Sequence, residues 1–323
     1  MRRSCTRLLL RPPRTAASLS HLGPRALCTS SSSSSSSSNA DRTTHFGYTT
    51  VPEDDKERLV GNVFRNVAAR YDLMNDVMSA GIHRLWKDTL VDMIGARSLG
   101  QANLQVLDVA GGTGDVAFRI ADDLAASHAS GGPVVRGLQP ARVLARAEEE
   151  GEDEEARVVV CDINPAMLAE GRTRADQLTP NAHRPRLDFV TADARKLPFD
   201  DCSFDVYTIA FGIRNVTRID EALAEAHRVL RPGGRFLCLE FSHVTHPVLA
   251  SLYDKYSFAV IPAMGELVAN DRASYQYLVE SIRQFPKQGE FAQMLRDAGF
   301  RSVTYTNLTA GTVAIHSGFR LPR

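Results

Sequence analysis

The chain has 323 residues with 38 basic and 38 acidic side chains, so its formal net charge is zero. The first 40 residues hold six of the arginines and no acid, which leaves residues 41–323 with a formal charge of −6. A mildly acidic body argues against nucleic-acid binding, and no apolar run approaches the ~18 residues that cross a bilayer.

Residues 1–40 have the composition of a mitochondrial transit peptide followed by a serine-rich disordered linker. They are rich in Arg and Ser, they lack acids, and Leu8–Leu10 is too short for the apolar core of a secretory signal. The run Thr29–Ser38 cannot bury apolar surface, so it should be flexible. A plain disordered tail is the alternative. We therefore predict a targeting segment over 1–40 and one folded domain over 41–323.

The folded body begins with helical patterns. Val60, Phe64 and Val67 recur at helical spacing within 56–71, which predicts an amphipathic helix. The dense mixture of apolar and polar residues over 72–90 also favours helix. We expect this N-terminal helical part to form a lid on the rest of the domain.

From Leu104 onward, short apolar runs alternate with helical patterns, and this alternation predicts an α/β fold with a mainly parallel sheet covered on both faces. The predicted strands are 104–109, 157–161, 187–190, 204–211, 235–241, 301–308 and 312–319. The predicted helices are 116–125, 165–178, 220–230, 247–260, 273–284 and 287–298. The last two strands form a hairpin, which adds one antiparallel strand.

Two segments interrupt this order. The segment 127–157 contains Gly, Pro and Arg, followed by seven carboxylates in the eight positions Glu148–Glu155, so we predict a flexible surface insertion. The sequence RPGG at Arg231–Gly234 predicts the end of a helix followed by a turn.

The five cysteines form neither a CxxC pair nor a disulfide framework, and we predict no metal site. Two of them, Cys161 and Cys238, lie inside apolar runs, where a buried thiol behaves as a small hydrophobic group.

Ligands bind beyond the carboxyl ends of parallel strands, so the loops that follow the strands form the candidate site. In the first loop, Gly112 and Gly114 allow a sharp turn and a close approach of the backbone to a ligand. The loop also fits GxGxxA, a dinucleotide fingerprint, in which an acid should follow ~20 residues later. Asp162 follows Gly114 by 48 residues, although the insertion at 127–157 is long enough to account for that gap.

Acidic residues favour a different cofactor. Asp162 and Asp193 end the second and third strands, where they suit ribose hydroxyls and an adenine amino group. Asp108 and Asp115, beside the glycine loop, repel a pyrophosphate and attract the ammonium and sulfonium charges of S-adenosylmethionine. Each acid taken alone is equally typical of a helix cap. The ordered set predicts S-adenosylmethionine.

The fourth and fifth loops offer groups for an acceptor. Arg214 and Asn215 suit a phenolic or quinol oxygen, with Arg214 favouring the ionised form. The alternative is an arginine paired with a local acid such as Asp220. Glu240 and His243 are candidate proton acceptors, although an isolated histidine such as His243 is more often an ordinary loop residue.

Nine sequence motifs closely resemble the UbiE family of methyltransferases. They are Tyr71–Asp76 (YDLMND), Gly81–Lys87 (GIHRLWK), Leu107–Asp115 (LDVAGGTGD), Asp162–Asn164 (DIN), Ala210–Val216 (AFGIRNV), Arg228–Gly234 (RVLRPGG), Leu239–Ser242 (LEFS), Tyr275–Ile282 (YQYLVESI) and Ala314–Phe319 (AIHSGF). The resemblance covers about 45–323, and compact bacterial members lack a segment of the size of 127–157.

The resemblance implies a class I methyltransferase, Rossmann-like fold and S-adenosylmethionine-dependent C-methylation of a polyprenylated methoxy-benzoquinol in ubiquinone biosynthesis. The residues that it implies in the site are Thr113, Asp162, Asp193 and Ala194 at the cofactor, with Gly112 and Gly114 of the glycine loop, and Arg214 and Asn215 beside the substrate. It also implies a peripheral protein on the matrix face of the inner mitochondrial membrane, within a multi-enzyme complex and commonly dimeric.

Three expectations follow for the chemistry. Arg214 should lower the pKa of the quinol, Asn215 should orient its oxygen, and a water, His243 or Glu240 should take the proton. The polyprenyl tail needs an apolar groove, which the N-terminal helices and the helices of 247–284 would form unless their apolar residues are merely core. A naphthoquinol acceptor such as demethylmenaquinol and a non-catalytic scaffold of the biosynthetic complex remain the alternatives.

Overall fold

The structure is a computed structural model, and it describes residues 42–67, 81–95, 103–129, 155–178, 184–248 and 272–322, with isolated positions at 75–79 and 250–266. The predicted targeting segment 1–40 lies outside the described residues. So do most of the predicted helix 247–260 and the insertion between residues 130 and 154.

A seven-stranded sheet forms the centre of the domain. Its strands are β3 (Gln105–Val109), β4 (Arg157–Asp162), β5 (Arg186–Thr191), β6 (Phe204–Ala210), β7 (Leu230–Phe241), β8 (Arg301–Leu308) and β9 (Val313–Phe319). The order across the sheet is β5-β4-β3-β6-β7-β9-β8, and β9 is antiparallel to both of its neighbours. The α/β fold, the mainly parallel sheet and the closing hairpin are therefore confirmed.

Helices cover both faces of this sheet. They are α2 (Ile82–Ile94), α3 (Asp115–Ala129), α4 (Pro165–Asp176), α5 (Ile219–Val229), α6 (Arg272–Gln284) and α7 (Gln288–Asp297). One apolar cluster holds Trp86 of α2 and Leu168 of α4, and a second holds Leu223 of α5 and Phe291 of α7. Central strands buried on both faces need continuous apolar runs, which explains sequences such as VVVC in β4.

The cysteines in these runs are packed as predicted. Cys161 of β4 and Cys238 of β7 are both fully buried. Each side chain fills a position in the second apolar cluster, between the sheet and its covering helices. Both thiols therefore act as small hydrophobic groups.

The structure adds an N-terminal β-hairpin that the sequence did not predict. Strands β1 (Thr43–Phe46) and β2 (Thr49–Pro52) pair antiparallel, and helix α1 (Glu53–Val67) follows at once. The predicted helix start at 56 is therefore three residues late. Three acids in the first turn of α1 favour the earlier start, because carboxylates stabilise a helix N-terminus.

Two other boundaries differ from prediction. The RPGG segment does not form a turn before the strand, because β7 already begins at Leu230, which pairs with Phe204 across a register shift. The insertion was predicted to begin at 127, whereas α3 continues to Ala129. Among the described helices, none has the length and apolarity that a membrane crossing requires.

The order of the strands positions the site. The chain builds β3, β4 and β5 outward in one direction, returns to pair β6 with the other side of β3, and continues outward through β7. Loops leave the carboxyl ends of β3 and β6 in opposite directions at this reversal. A crevice opens there, which is where ligands of open α/β sheets bind.

Candidate active site

A single pocket collects the loops at the carboxyl ends of β3, β4, β5 and β6. Residues of α1 close it from above, namely Glu57, Val60 and Gly61. Of the predicted site residues, Gly112, Thr113, Asp162, Asp193, Ala194 and Asn215 line this pocket. Gly114 and Arg214 are not among its lining residues in the described part of the chain.

The glycine loop follows β3 and brings backbone close to the pocket. The N–H of Gly111 donates to the carbonyl oxygen of Cys161 across 3.1 Å. A Cβ on Gly111 would lie 2.7 Å from Val160 Cγ1 and 2.9 Å from Asp108 Oδ2, so no larger residue fits. Gly114 has a φ of +84°, which only glycine adopts readily.

Asp162 is fixed at the end of β4 by backbone donors. Its Oδ2 accepts from the N–H of Gly112 at 2.9 Å, and its Oδ1 accepts from the N–H of Asn164 at 2.8 Å. Burial raises the pKa of Asp162, while these hydrogen bonds oppose the shift. Each carboxylate oxygen keeps a lone pair that can accept from a vicinal diol.

Asp193 connects the pocket to the helix that covers it. Its Oδ2 accepts from Nε and Nη2 of Arg195 at 2.9 Å and 2.6 Å, and its Oδ1 accepts from Nε at 3.2 Å. Arg195 also pairs with Glu57 of α1. Ala194 lies beside them in the pocket wall. The lid and the third strand-end loop are therefore joined by one charged network.

Asp108 is a buried acid with an unused acceptor. Its Oδ1 accepts from the hydroxyl of Thr208 at 2.7 Å, and its Oδ2 has no hydrogen-bond partner within the described residues. Burial, opposed by the Thr208 hydrogen bond and by the charge of Lys87, raises the pKa of Asp108 to about 7. An orphaned buried oxygen costs ~1–3 kcal/mol, which a cationic donor from a ligand would recover.

Asp115, in contrast, is already neutralised. Its Oδ2 binds Lys87 Nζ at 2.7 Å and its Oδ1 contacts Arg119 Nε at 3.3 Å. Burial acts against ionisation, but Lys87, Arg119 and Arg174 together hold the pKa of Asp115 below its usual range. From the sequence, Asp108 and Asp115 were predicted to act alike. In the structure, only Asp108 of these two keeps a carboxylate oxygen without a hydrogen-bond partner among the described residues.

Arg214 forms a buried ion pair behind the pocket. Its Nη1 donates to Glu240 Oε1 at 2.8 Å, and its guanidinium lies 5.5 Å from the centre of the Phe241 ring. Asp220 instead pairs with Arg218, so the local partner considered for Arg214 is not the one that it has. Arg214 Nε has no partner among the described residues.

Asn215 faces the pocket, and a tyrosine of α6 holds it. Tyr277 donates its hydroxyl hydrogen to Asn215 Oδ1 at 2.9 Å. The Phe46 ring of β1 stacks on Tyr277 with 4.2 Å between ring centres. Asn215 Nδ2 is buried without a partner in the described part of the chain, so an amide donor remains for a ligand.

Neither candidate proton acceptor lines the pocket in the described part of the chain. Glu240 is engaged by Arg214 and by the backbone N–H of Phe241, and burial raises its pKa. The Nε2 of His243 contacts the carbonyl oxygen of Phe285 at 2.9 Å, so this nitrogen carries the hydrogen.

Several residues of the site act through contacts between distant parts of the chain, and the sequence did not predict them. Lys87 and Glu57 line the pocket, and Tyr277 supports Asn215 from 62 positions away. Arg174 of α4 donates to Thr113 Oγ1 at 2.9 Å, which fixes the orientation of a predicted cofactor residue. Only the tertiary fold brings these residues together. The one available signal was the position of Lys87 within the GIHRLWK motif.

Comparison with known proteins identifies the family. The chain matches the ubiE/COQ5 methyltransferase family over residues 51–320. It is 54% identical over 285 residues to the mitochondrial 2-methoxy-6-polyprenyl-1,4-benzoquinol methylase of Bos taurus, with 86% of this chain and 84% of the relative aligned. A protein of the same name from Arabidopsis thaliana is 55% identical over 278 residues, covering 86% of this chain and 90% of the relative.

A bacterial relative extends this similarity. The ubiquinone/menaquinone biosynthesis C-methyltransferase UbiE of Dinoroseobacter shibae is 53% identical over 283 residues, which are 88% of this chain and 99% of the relative. The motif resemblance is thereby confirmed over the whole described domain. The chain belongs to the ubiE/COQ5 methyltransferase family.

Proposed function

We propose that this methyltransferase uses S-adenosylmethionine to methylate a ring carbon of 2-methoxy-6-polyprenyl-1,4-benzoquinol in ubiquinone biosynthesis. The observation that carries the cofactor assignment is the open carboxylate of Asp108, buried in the same pocket as Asp162 and Asp193. The acceptor assignment rests on the names of the mitochondrial relatives and on the polar loop of Arg214 and Asn215.

The pocket suits each part of the cofactor. Asp162 would accept from the ribose hydroxyls, because both of its oxygens are held in place by backbone donors. Asp193 and Ala194 would border the adenine, and the exposed side chain of Ile163 offers an apolar surface next to them. Asp108 would accept from the ammonium group. When bound, S-adenosylmethionine supplies an electrophilic methyl group on a sulfonium.

A pyrophosphate cofactor fits less well. Of the two cations that line the pocket in the described part of the chain, Arg195 is held by Asp193 and Glu57, and Lys87 is shared with Asp115. One partly engaged lysine would therefore face the charges of two phosphates. Asp108 and Asp162 would face the phosphates, and like charges at short range repel strongly in a buried site. The hydride-transfer alternative is also inconsistent with membership of a methyltransferase family.

The residues near the acceptor would orient and activate it. Carbon is a weak nucleophile, and a quinol that loses a proton gains electron density on its ring. Asn215 Nδ2, presented to the pocket by Tyr277, would donate to the quinol oxygen. Arg214 lies behind the pocket, and its Nε has no partner among the described residues. Its positive charge would favour the ionised form of the quinol oxygen. Because neither Glu240 nor His243 lines the pocket in the described part of the chain, a water is the proton acceptor that this geometry favours.

Positioning is the main catalytic contribution of such a site. Methyl transfer is an in-line displacement, and alignment of donor and acceptor can supply ~7–11 kcal/mol of the barrier. The lid contacts of Glu57, Val60 and Gly61 would also exclude water from the transferring methyl group. Part of the segments predicted to form an apolar groove for the polyprenyl tail, most of 247–260 among them, lies outside the described residues. Within the described residues, Tyr275 and Tyr277 are buried in the core.

Localisation and assembly are part of this proposal. The arginine-rich segment 1–40 and the mitochondrial names of the relatives support import into mitochondria. We place the enzyme peripherally on the matrix face of the inner membrane, where a polyprenylated substrate resides, in a complex with other biosynthetic enzymes and as a possible homodimer. A naphthoquinol is the second candidate acceptor, because the Dinoroseobacter shibae relative is named for both quinone pathways.

Calorimetry and turnover together test this function. The chain without residues 1–40 should bind S-adenosylmethionine and not NAD, and Asp162→Ala should abolish the binding. With a short-chain analogue, methylation of the benzoquinol should exceed that of the naphthoquinol. Binding of NAD alone would overturn the proposal, and preferential naphthoquinol methylation would replace its acceptor.

A further inference from the structure

A buried lysine of helix α2 lies beside the glycine loop. Lys87 of α2 is 5% exposed and lines the pocket beside the glycine loop. A lysine so deeply buried is rare, because the desolvation of its ammonium group must be compensated by a partner. Asp115 is that partner, at 2.7 Å.

Asp115 has further cationic neighbours besides Lys87. Arg119 contacts the other oxygen of Asp115 and also pairs with Asp88 on α2. Arg174 lies close enough to contribute to the low pKa of Asp115. Two arginines and a lysine therefore surround one carboxylate at the base of the pocket. An ammonium group has three N–H donors, and Asp115 accepts from that of Lys87 through one oxygen.

The charges at this end of the pocket match an α-amino acid. Asp108, whose Oδ2 has no partner among the described residues, provides an acceptor for an ammonium group. Lys87 is near enough to influence the ionisation of Asp108, so both charges lie at the same end of the site. An α-amino acid carries a carboxylate one carbon away from its ammonium group. A paired acid and lysine can therefore bind both ends of such a zwitterion.

We propose that Lys87 binds the carboxylate of the methionine part of S-adenosylmethionine, and that Asp115 is the counter-ion that holds Lys87 in place. This assignment rests on the proposed cofactor. It makes Lys87 a specificity-determining residue, because it would distinguish cofactors with an intact amino-acid carboxylate from those without one. Charge-assisted hydrogen bonds between lysine and carboxylate are roughly twice as strong as neutral ones.

Three ligands and two variants test the assignment by calorimetry. The ligands are S-adenosylmethionine, its decarboxylated form, which keeps the ammonium and sulfonium, and 5′-methylthioadenosine, which lacks the amino acid. Lys87→Met should weaken S-adenosylmethionine binding roughly tenfold to hundredfold. It should leave the two ligands without a carboxylate within about twofold of their wild-type affinities, because the lost contact is to the carboxylate.

Arg119→Met is the matched control. It removes the other cation from Asp115, and Arg119 is not among the lining residues in the described part of the chain. If Lys87 served only to tie α2 to α3 through Asp115, the two variants would behave alike. We expect Arg119→Met to retain wild-type affinity for all three ligands. Thermal unfolding of each variant reports whether the domain is intact, and Lys87→Gln replaces Lys87→Met if the latter does not fold.

The outcomes separate this inference from the proposed function. Equal losses for all three ligands in Lys87→Met, or no loss for any, would overturn the role of Lys87 while leaving the cofactor in place. The role of Lys87 would also be overturned if the wild-type protein bound S-adenosylmethionine no more tightly than its decarboxylated form. Wild-type protein that binds none of the three would overturn the proposed function itself.

Discussion

Tyr277 of α6 holds Asn215, at the end of β6, through a hydrogen bond of 2.9 Å between its hydroxyl and Asn215 Oδ1. This contact fixes which end of the amide faces the pocket, because the carbonyl oxygen is taken and Nδ2 remains. The Phe46 ring stacks on Tyr277 from the N-terminal hairpin. The hairpin thus supports the acceptor loop, although it is far from it in sequence.

Removing the Tyr277 hydroxyl should affect turnover more than cofactor binding. In Tyr277→Phe the amide of Asn215 is free to rotate, so we expect kcat to fall about fivefold, which corresponds to the ~1 kcal/mol of a hydrogen bond. Calorimetric affinity for S-adenosylmethionine should stay within about twofold. Tyr305→Phe, on the exposed edge strand β8, is the control. A loss of cofactor affinity as large as the loss of kcat would contradict this role for Tyr277.

The ionisation of Asp108 should make cofactor binding depend on pH. Burial, opposed by Thr208 and Lys87, raises the pKa of Asp108 to about 7, and an ammonium group beside it favours the ionised form. Below pH 7, binding must therefore release a proton from Asp108. As the pH is lowered, the association constant for S-adenosylmethionine should fall by up to about tenfold per pH unit. Calorimetry in two buffers of different ionisation enthalpy measures that proton.

The same shift predicts the stability of the ligand-free protein. The unfolded chain ionises Asp108 near 3.8, whereas the folded chain holds the proton to about 7. The contribution of Asp108 to the free energy of unfolding should therefore fall as pH rises between these values. Asp108→Asn should remove this dependence and weaken cofactor binding. If proton release is the same in Asp108→Asn as in the wild type, another group is responsible.

Breaking the Arg214–Glu240 pair should destabilise the protein. Both side chains are almost completely buried, and removing one partner leaves an uncompensated buried charge. We expect Arg214→Ala to lower the free energy of unfolding by ~3–5 kcal/mol in urea denaturation. Glu240→Gln leaves the buried guanidinium of Arg214 without its counter-charge, so we expect a loss of similar size.

Arg214→Lys tests the catalytic role separately from stability. It retains a positive charge opposite Glu240 but loses the planar guanidinium. We expect turnover to fall far more than S-adenosylmethionine affinity. Equal losses in both quantities would mean that Arg214 does not act on the acceptor.

The tight approach at Gly111 should make it intolerant of substitution. In Gly111→Ala the new Cβ would meet Val160 Cγ1 at 2.7 Å and Asp108 Oδ2 at 2.9 Å. We expect a loss of ~1–3 kcal/mol in stability together with weaker cofactor binding. Gly289→Ala is the matched control, because a Cβ there meets nothing within 4 Å and the residue lies in helix α7. That control should gain ~0.4–1 kcal/mol.

The sequence by itself determined the fold and the main acids of the candidate site. Short β-branched apolar runs such as VVVC, alternating with helical patterns, indicate strands buried on both faces, and the glycines of the first loop mark the strand that a ligand approaches. Parallel strands end at one edge of the sheet, so the sequence placed Asp162 and Asp193 in the same crevice. Local periodicity is sufficient for inferences of this kind.

Only the tertiary structure decided which charges are free. Asp108 and Asp115 are both acids beside the same loop, yet Lys87, which comes from another helix, pairs with Asp115, while Asp108 Oδ2 has no partner among the described residues. Arg214 and Asn215 are adjacent in sequence, yet one is paired behind the pocket and the other faces into it. Pairing between residues distant in sequence depends on three-dimensional packing, which no local pattern encodes.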